Sequence, residues 1–122
     1  MAPKLSSYSH VTSWKKADKA LGEQKEKTIG NNTKLVRARN GDVYVTLHGN
    51  RVIRFTHNPP DIILSSGGHK SSTTKDRLNR YTPSGFRVVQ EDYRWYLETP
   101  DGRVPFTDQI SINEAQNRAR RD

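Results

Sequence analysis

The chain contains no cysteine, a single methionine and little apolar material, with 31% hydrophobic and 8% aromatic residues. Without cysteine there is no disulfide framework, no thiol nucleophile and no thiolate-bound zinc, which suits a reducing compartment. The apolar share, even with the 8 glycines added, stays below the roughly 45–50% usual for globular chains, so one thin core is expected. No stretch approaches the ~20 apolar residues that cross a bilayer, and Met1 to Val11 lacks the apolar centre of a secretion signal. Neither export by such a signal nor a membrane span is expected. Acidic residues are also scarce, 13 Asp+Glu against 21 Lys+Arg, which leaves a net charge of +8.

That charge is unevenly placed. Residues 1–80 hold 15 basic and 6 acidic side chains, a balance of +9, while residues 81–122 hold 6 and 7, a balance of −1. A positive field of this kind attracts nucleic acid, other phosphorylated ligands, anionic membranes or an acidic protein surface. The plainer alternative is that the lysines keep a thin-cored protein in solution.

At 122 residues the chain has the length of one domain. Thr12 and Ser13 offer an N-cap before Trp14, Ala17, Ala20 and Leu21, which fall at helical spacing, and Gly22 stands where a C-cap belongs. The polar segment 22–33 reads as a surface connection. Asn40-Gly41 and Gly49-Asn50 then read as two-residue hairpin loops joining strands 34–39, 42–48 and 51–56. His57-Asn58-Pro59-Pro60 turns the chain into a fourth strand, 61–64. This register sets Tyr44 beside Arg37 and Phe55, and Val45 beside Val36 and Arg54. Both faces then look apolar, so a sheet covered on both sides is expected, with Arg54 needing a carboxylate such as Asp61, a carbonyl cluster or a bound anion.

Beyond the loop Ser65 to Lys70, a helix over Thr74–Tyr81 is predicted, capped by Thr73 with Asp76, its stripe Thr74, Leu78 and Tyr81 turned inward. Lys75, Arg77, Asn79 and Arg80 are assigned to its surface. A meander of strands 86–90, 93–99 and 104–106 follows, and Ser111 with Glu114 has capping-box spacing ahead of a last helix with little apolar surface. The expected fold is α+β: an antiparallel sheet of hairpins with two short packed helices and mobile termini. Residues 1–11 are taken as an N-terminal arm, 12–108 as the domain and 109–122 as a tail or short helix.

Several short motifs occur in order: Trp14-x-x-Ala17, Gly30-Asn31-Asn32-Thr33-x-Leu35, Leu47-His48, Ser66-Gly67-Gly68 and Thr73-Thr74-Lys75-x-Arg77-x-Asn79-x-Tyr81. Together they resemble a family of short proteins encoded by tailed bacteriophages, over residues 14–97. The resemblance implies a phage origin and a host-cell or virion setting, and carries over no catalytic residue. His69 departs from the aromatic residue expected after the paired glycines.

The glycine loop, with Lys70 and Lys75 close by, is a candidate phosphate cradle. It is not a Walker A loop, since the upstream Gly is missing and His69 precedes Lys70. Arg37 with Tyr44 and Phe55, near His48 and Arg51, has the basic-plus-aromatic mixture of single-strand binders, although aromatic cross-strand pairs are first of all packing. His10, His48, His57 and His69 lack metal-pair spacing, so no metal and no cofactor is expected. A general acid–base pair through His48 or His69 is not singled out by any spacing, and the chain is expected not to be an enzyme. The leading expectation is a phage accessory protein in the host cytoplasm that binds DNA or RNA without strong sequence preference. Its contacts would come from Lys15, Lys16, Lys19, Arg37, Arg39, Arg54, Lys70, Lys75, Arg77 and Arg80. The rivals are a host-takeover or anti-defence inhibitor that binds an acidic host protein or a nucleotide signal, and a minor virion component.

Overall fold

A computed structural model of the chain describes residues 5–121. A short 3-10 turn, Leu5–Tyr8, leads to Val11, which is fully buried. Of the expected arm, 1–11, and tail, 109–122, residues 1–4 and 122 lie outside the described residues. Helix α1 (Trp14–Leu21) forms as the caps predict: the Ser13 hydroxyl accepts from the Lys16 N–H, and the Gly22 N–H donates to the Asp18 carbonyl. Ala17 and Leu21 face the core. The Trp14 indole donates to the Gly41 carbonyl at 2.7 Å and stacks on His57, which fixes α1 to the turns that follow.

Strands β1 (Glu26–Gly30), β2 (Thr33–Arg37), β3 (Val43–Leu47), β4 (Asn50–Thr56) and β5 (Asp61–Leu64) form an antiparallel meander. β1 corrects the expected loop over 22–33. It is an edge strand, and its charged start, Glu26 and Lys27, is what exposed edges carry; its one apolar anchor, Ile29, is buried at a register shift.

The register also differs from expectation by one residue. The Ala38 N–H donates to the Asp42 carbonyl at 2.8 Å, so the β2–β3 loop has three residues, Arg39-Asn40-Gly41, closed by Gly41 at φ +93°. The next turn is His48-Gly49, with φ +52° and +79°, the type I′ pattern, one residue earlier than Gly49-Asn50. Tyr44 therefore lies opposite Val36 and Arg54, and Val45 opposite Leu35 and Ile53, in place of the expected pairs. A bulge at Val52 absorbs the remaining residue.

Because strand side chains alternate, this slip reassigns both faces. Leu35, Val43, Val45, Ile53, Phe55 and Leu64 are all at most 1% exposed and form the inner face. Val36, Tyr44, Arg54 and Ile63 make a half-buried row on the other face, with Lys34 and Arg51 exposed beside it. The sheet is thus covered on one side rather than two.

Helix α2 (Ser72–Arg80) starts two residues before the expected position, because Ser71 rather than Thr73 caps it and accepts from the Thr74 N–H. Thr74, Leu78 and Tyr81 are buried as predicted, but so is Arg77, which is expected on the surface although it lies three residues after Thr74 and four before Tyr81, on the same face. Its guanidinium reaches across to the β1–β2 turn, donating to Thr33 Oγ1 at 2.8 Å and to the Asn31 carbonyl at 3.4 Å. Strands β6 (Arg87–Glu91), β7 (Arg94–Thr99) and β8 (Gly102–Pro105) form the separate meander. The Asn79 side chain clips α2 to it by bonding both the N–H and the carbonyl of Val88.

The final segment joins the core. Strand β9 (Ile110–Ser111) pairs with β5, and helix α3 (Ile112–Arg121) buries Ile112, Ala115 and Ala119 while it contacts β5, β7 and β8. Small alanines suffice there because the helix bridges two sheets. The Ser111 hydroxyl accepts from the Glu114 N–H, as the capping spacing implies.

Arg77 and Arg80 share Asp76 yet differ in burial, and this separates their expected roles. Arg77→Ala should cost about 2 kcal/mol, since it strips the buried Thr33 hydroxyl of its donor. Arg80→Ala should stay within about 0.5 kcal/mol. Urea unfolding of the two variants checks the difference.

Candidate functional site

On the uncovered face the Tyr44 ring lies under Arg51, whose guanidinium carbon is 4.1 Å from the ring centroid, and beside Arg54 at 6.0 Å. Both contacts follow from the observed register: Arg54 is opposite Tyr44, and Arg51 is opposite Thr46 on the same face. Arg54 is held from the other side by Asp42, which accepts from Nε and Nη2, each at 2.8 Å. The hydrogen bond to Asp42 raises the affinity of the Arg54 guanidinium for its proton. The expected carboxylate partner therefore exists, but it is Asp42; Asp61 instead accepts from the Ile62 and Asn113 N–H groups and the Ser111 hydroxyl.

Two hollows meet on this face. One, of 130 Å³, is lined by Tyr44, Arg51, Val52, Arg54, Ile63 and Gln109 among others; the second, of 420 Å³, includes Asn40, Asp42, His57, Asn58 and Pro59. They share Arg54 and Ile63 and so make one trough running from the β4–β5 turn to the Arg51 end of β4.

The sequence-derived cations divide into two groups. Arg37 is tied to Asp18 at 2.6 Å and to the Gly22 carbonyl, Arg54 to Asp42, and Arg77 and Arg80 to Asp76. These four have folding partners and do not stand free. Among the described residues, Lys15, Lys16, Lys19, Arg39, Lys70 and Lys75 have no carboxylate within salt-bridge distance. Lys15, Lys16 and Lys19 are exposed on α1, and Arg39 is exposed in the β2–β3 loop, which Trp14 holds against that helix. Lys70 is exposed in the loop that packs on the opposite end of β4, while Lys75 reaches only Gln90. Arg51, noted in the sequence as part of the basic-plus-aromatic mixture but not among the expected contacts, is placed over Tyr44 by the register that the His48-Gly49 turn sets.

The glycine loop is already occupied by the protein's own groups. The Ser66 N–H donates to Asp108 at 2.8 Å, and those of Gly67 and Gly68 go to the Ser65 and Ser66 hydroxyls. A carboxylate thus sits where a phosphate cradle would need its anion. Gly67 is required there for packing as well, since a Cβ would come within 3.1 Å of Asn50 Cβ on a backbone at φ +65°. Next to it a cleft of 310 Å³ brings His48 and His69 together with Asn50, Ser66 and Thr73; no carboxylate lines it among the described residues.

Asp42→Ala would leave Arg54, the Asn40 amide and the His57 N–H without their shared acceptor. A loss of about 2–3 kcal/mol in chemical denaturation is expected. For Asp108, the hydrogen bond from the Ser66 backbone holds the carboxyl below its ordinary value. The folded chain therefore releases this proton more readily than the unfolded one, so the contribution is present above the unfolded value of about 3.9 and fades as pH falls through the folded one. Thermal melts at neutral and acidic pH should show a smaller acid-induced loss for Asp108→Asn than for the parent chain.

Among the described residues, no helix is long and apolar enough to cross a membrane. No curated protein and no solved structure matches the chain. A family model described as Kyanoviridae Gp96 protein matches residues 12–114, which takes in everything from α1 to β9 and the first turn of α3. The match is wider than the span of the short motifs and agrees with the phage origin they imply, and the chain belongs to this protein family of tailed cyanophages.

Proposed function

We propose that this cyanophage protein binds nucleic acid without strong sequence preference, as an accessory factor in the cytoplasm of the infected host and without catalysing a reaction. The observation that carries the reading is the set of exposed cations without a carboxylate in salt-bridge distance among the described residues, Lys15, Lys16 and Lys19 on α1, Arg39 in the adjoining loop, Lys70 in the glycine loop and Arg51 on β4. Of these, Arg51 lines the trough itself. Exposed cations of this kind can meet the phosphates of a polyanion, and such contacts position a backbone without reading bases. The binding surface in this proposal is accordingly Lys15, Lys16, Lys19, Arg39, Arg51 and Lys70, with Arg37, Arg54, Arg77 and Arg80 assigned to the architecture beneath it.

Fluorescence anisotropy across a salt series tests the proposal. Log affinity for duplex DNA should fall linearly with log salt, at about −0.9 per phosphate neutralised. Replacing Lys15, Lys16 and Lys19 together by Gln should flatten the slope by about 0.9 for each contact removed. Arg80→Gln, whose charge is already engaged by Asp76, should leave the slope nearly unchanged. Absence of binding to any nucleic acid at low salt would refute the proposal and favour an inhibitor that docks on an acidic host protein.

A further inference from the structure

We infer that the trough is a single-strand site, in which an unpaired base stacks on the guanidinium of Arg51. The inference rests on the nucleic-acid reading above and names the form of nucleic acid that this face takes.

Charge bookkeeping within the trough separates the two forms. Arg54 is neutralised by Asp42, and Asp61, which also lines the trough, is held by the Ile62 and Asn113 N–H groups and the Ser111 hydroxyl, so Arg51 is the one lining Lys or Arg without a carboxylate in salt-bridge distance among the described residues. A duplex, which offers a protein mainly phosphates and groove edges, gains little from a single uncompensated charge. An unpaired base offers a flat π surface, and the trough supplies a matching one. The Arg51 guanidinium lies over the Tyr44 ring at 4.1 Å, with its side chain exposed. The ring therefore braces the guanidinium from below and leaves the outer surface of the cation to a ligand. Stacking of bases on arginine planes and aromatic rings is how open sheet surfaces hold single strands. The bracing also limits the rotamer freedom that Arg51 loses when a base arrives.

The rest of the wall suits the same ligand. Ile63 and Val52 supply apolar contact, while Asn40 and Gln109 place amide groups along the trough. Arg54 keeps its orientation through Asp42 and lies 6.0 Å from the Tyr44 ring centroid. Mixed apolar and neutral polar walls tolerate every base, which fits binding without strong sequence preference.

The test compares a fluorescein-labelled thymidine oligomer, a uridine oligomer of the same length and a mixed-sequence duplex, all with the intact chain at one salt concentration. Single strands should bind about 10-fold more tightly than duplex, and the two oligomers show whether the 2′-hydroxyl matters. Arg51→Ala should lower single-strand affinity by about 10-fold, the scale of one lost stacking contact. Arg51→Lys should lower it nearly as much, because lysine keeps the charge but not the plane. Arg51 is exposed, so both variants should fold. A 5-iodouracil oligomer should photocrosslink to Arg51 or Tyr44 rather than to α1. Equal affinity for duplex and single strand, or full recovery by Arg51→Lys, overturns the single-strand inference and leaves nucleic-acid binding standing. Absence of binding to all three probes overturns both.

Discussion

The carboxylate of Asp42 is almost fully buried and collects donors from three parts of the chain: the Asn40 amide in its own turn, the Arg54 guanidinium on β4 and the His57 N–H at the start of the next turn. An anion in that position is tolerable only because both carboxylate oxygens are met by donors. The consequence reaches well past one ion pair. The bonds tie the β2–β3 loop to β4 and to the turn that leads into β5, and so hold three strands in a single alignment. They also orient Arg54 toward Tyr44. Arg51, three residues earlier on the same strand, comes over the same ring. The trough is therefore built on a buried carboxylate that does not itself need to touch a ligand.

This dependence explains which parts of the molecule were legible in the sequence. The helix at Trp14, the inward stripe of Thr74, Leu78 and Tyr81, the second meander and the Ser111 cap follow from local rules: spacing, capping residues and alternation. The hairpin register does not. Asn40-Gly41 is the preferred two-residue loop, but Asn40 is used here as a side-chain ligand of Asp42, accepting its N–H and donating to its carboxylate. That use lengthens the loop to three residues and shifts every pairing by one. A local side-chain bond within the loop thus overrides the two-residue turn preference, and a one-residue slip is enough to move Tyr44 and Arg54 from the expected covered sheet to an open face.

Arg77 illustrates a second kind of illegibility. Its spacing, three residues after Thr74 and four before Tyr81, puts it on the inward stripe, and it is the charged residue type, not the position, that leads a sequence reading to place it outside. What buries it is the β1–β2 turn, which comes to lie over α2 and presents the Thr33 hydroxyl and the Asn31 carbonyl to it. β1 was itself invisible because an edge strand needs few apolar residues. Missing the strand meant missing the reason for the buried arginine.

The same logic sorts the charge of the whole chain. Of the cations in carboxylate pairs among the described residues, seven are arginines and one, Lys34, is a lysine. The planar, multidentate guanidinium holds two partners at once with less conformational loss than a lysine, and so is drawn into the architecture. Arg37 bridging α1 to the Gly22 carbonyl and Arg103 spanning Glu91 and Glu98 do this. Lysine, a hydrated point charge, stays outside. Among the described residues, three strand arginines, Arg51, Arg87 and Arg94, have no carboxylate in salt-bridge distance, and of these Arg51 is the one that lies over an aromatic ring. Arg51 is opposite Thr46, not an acid, and its nearest aromatic surface is Tyr44. The net charge argues only for some polyanion; it is this one unneutralised plane, braced on a ring, that argues for a base.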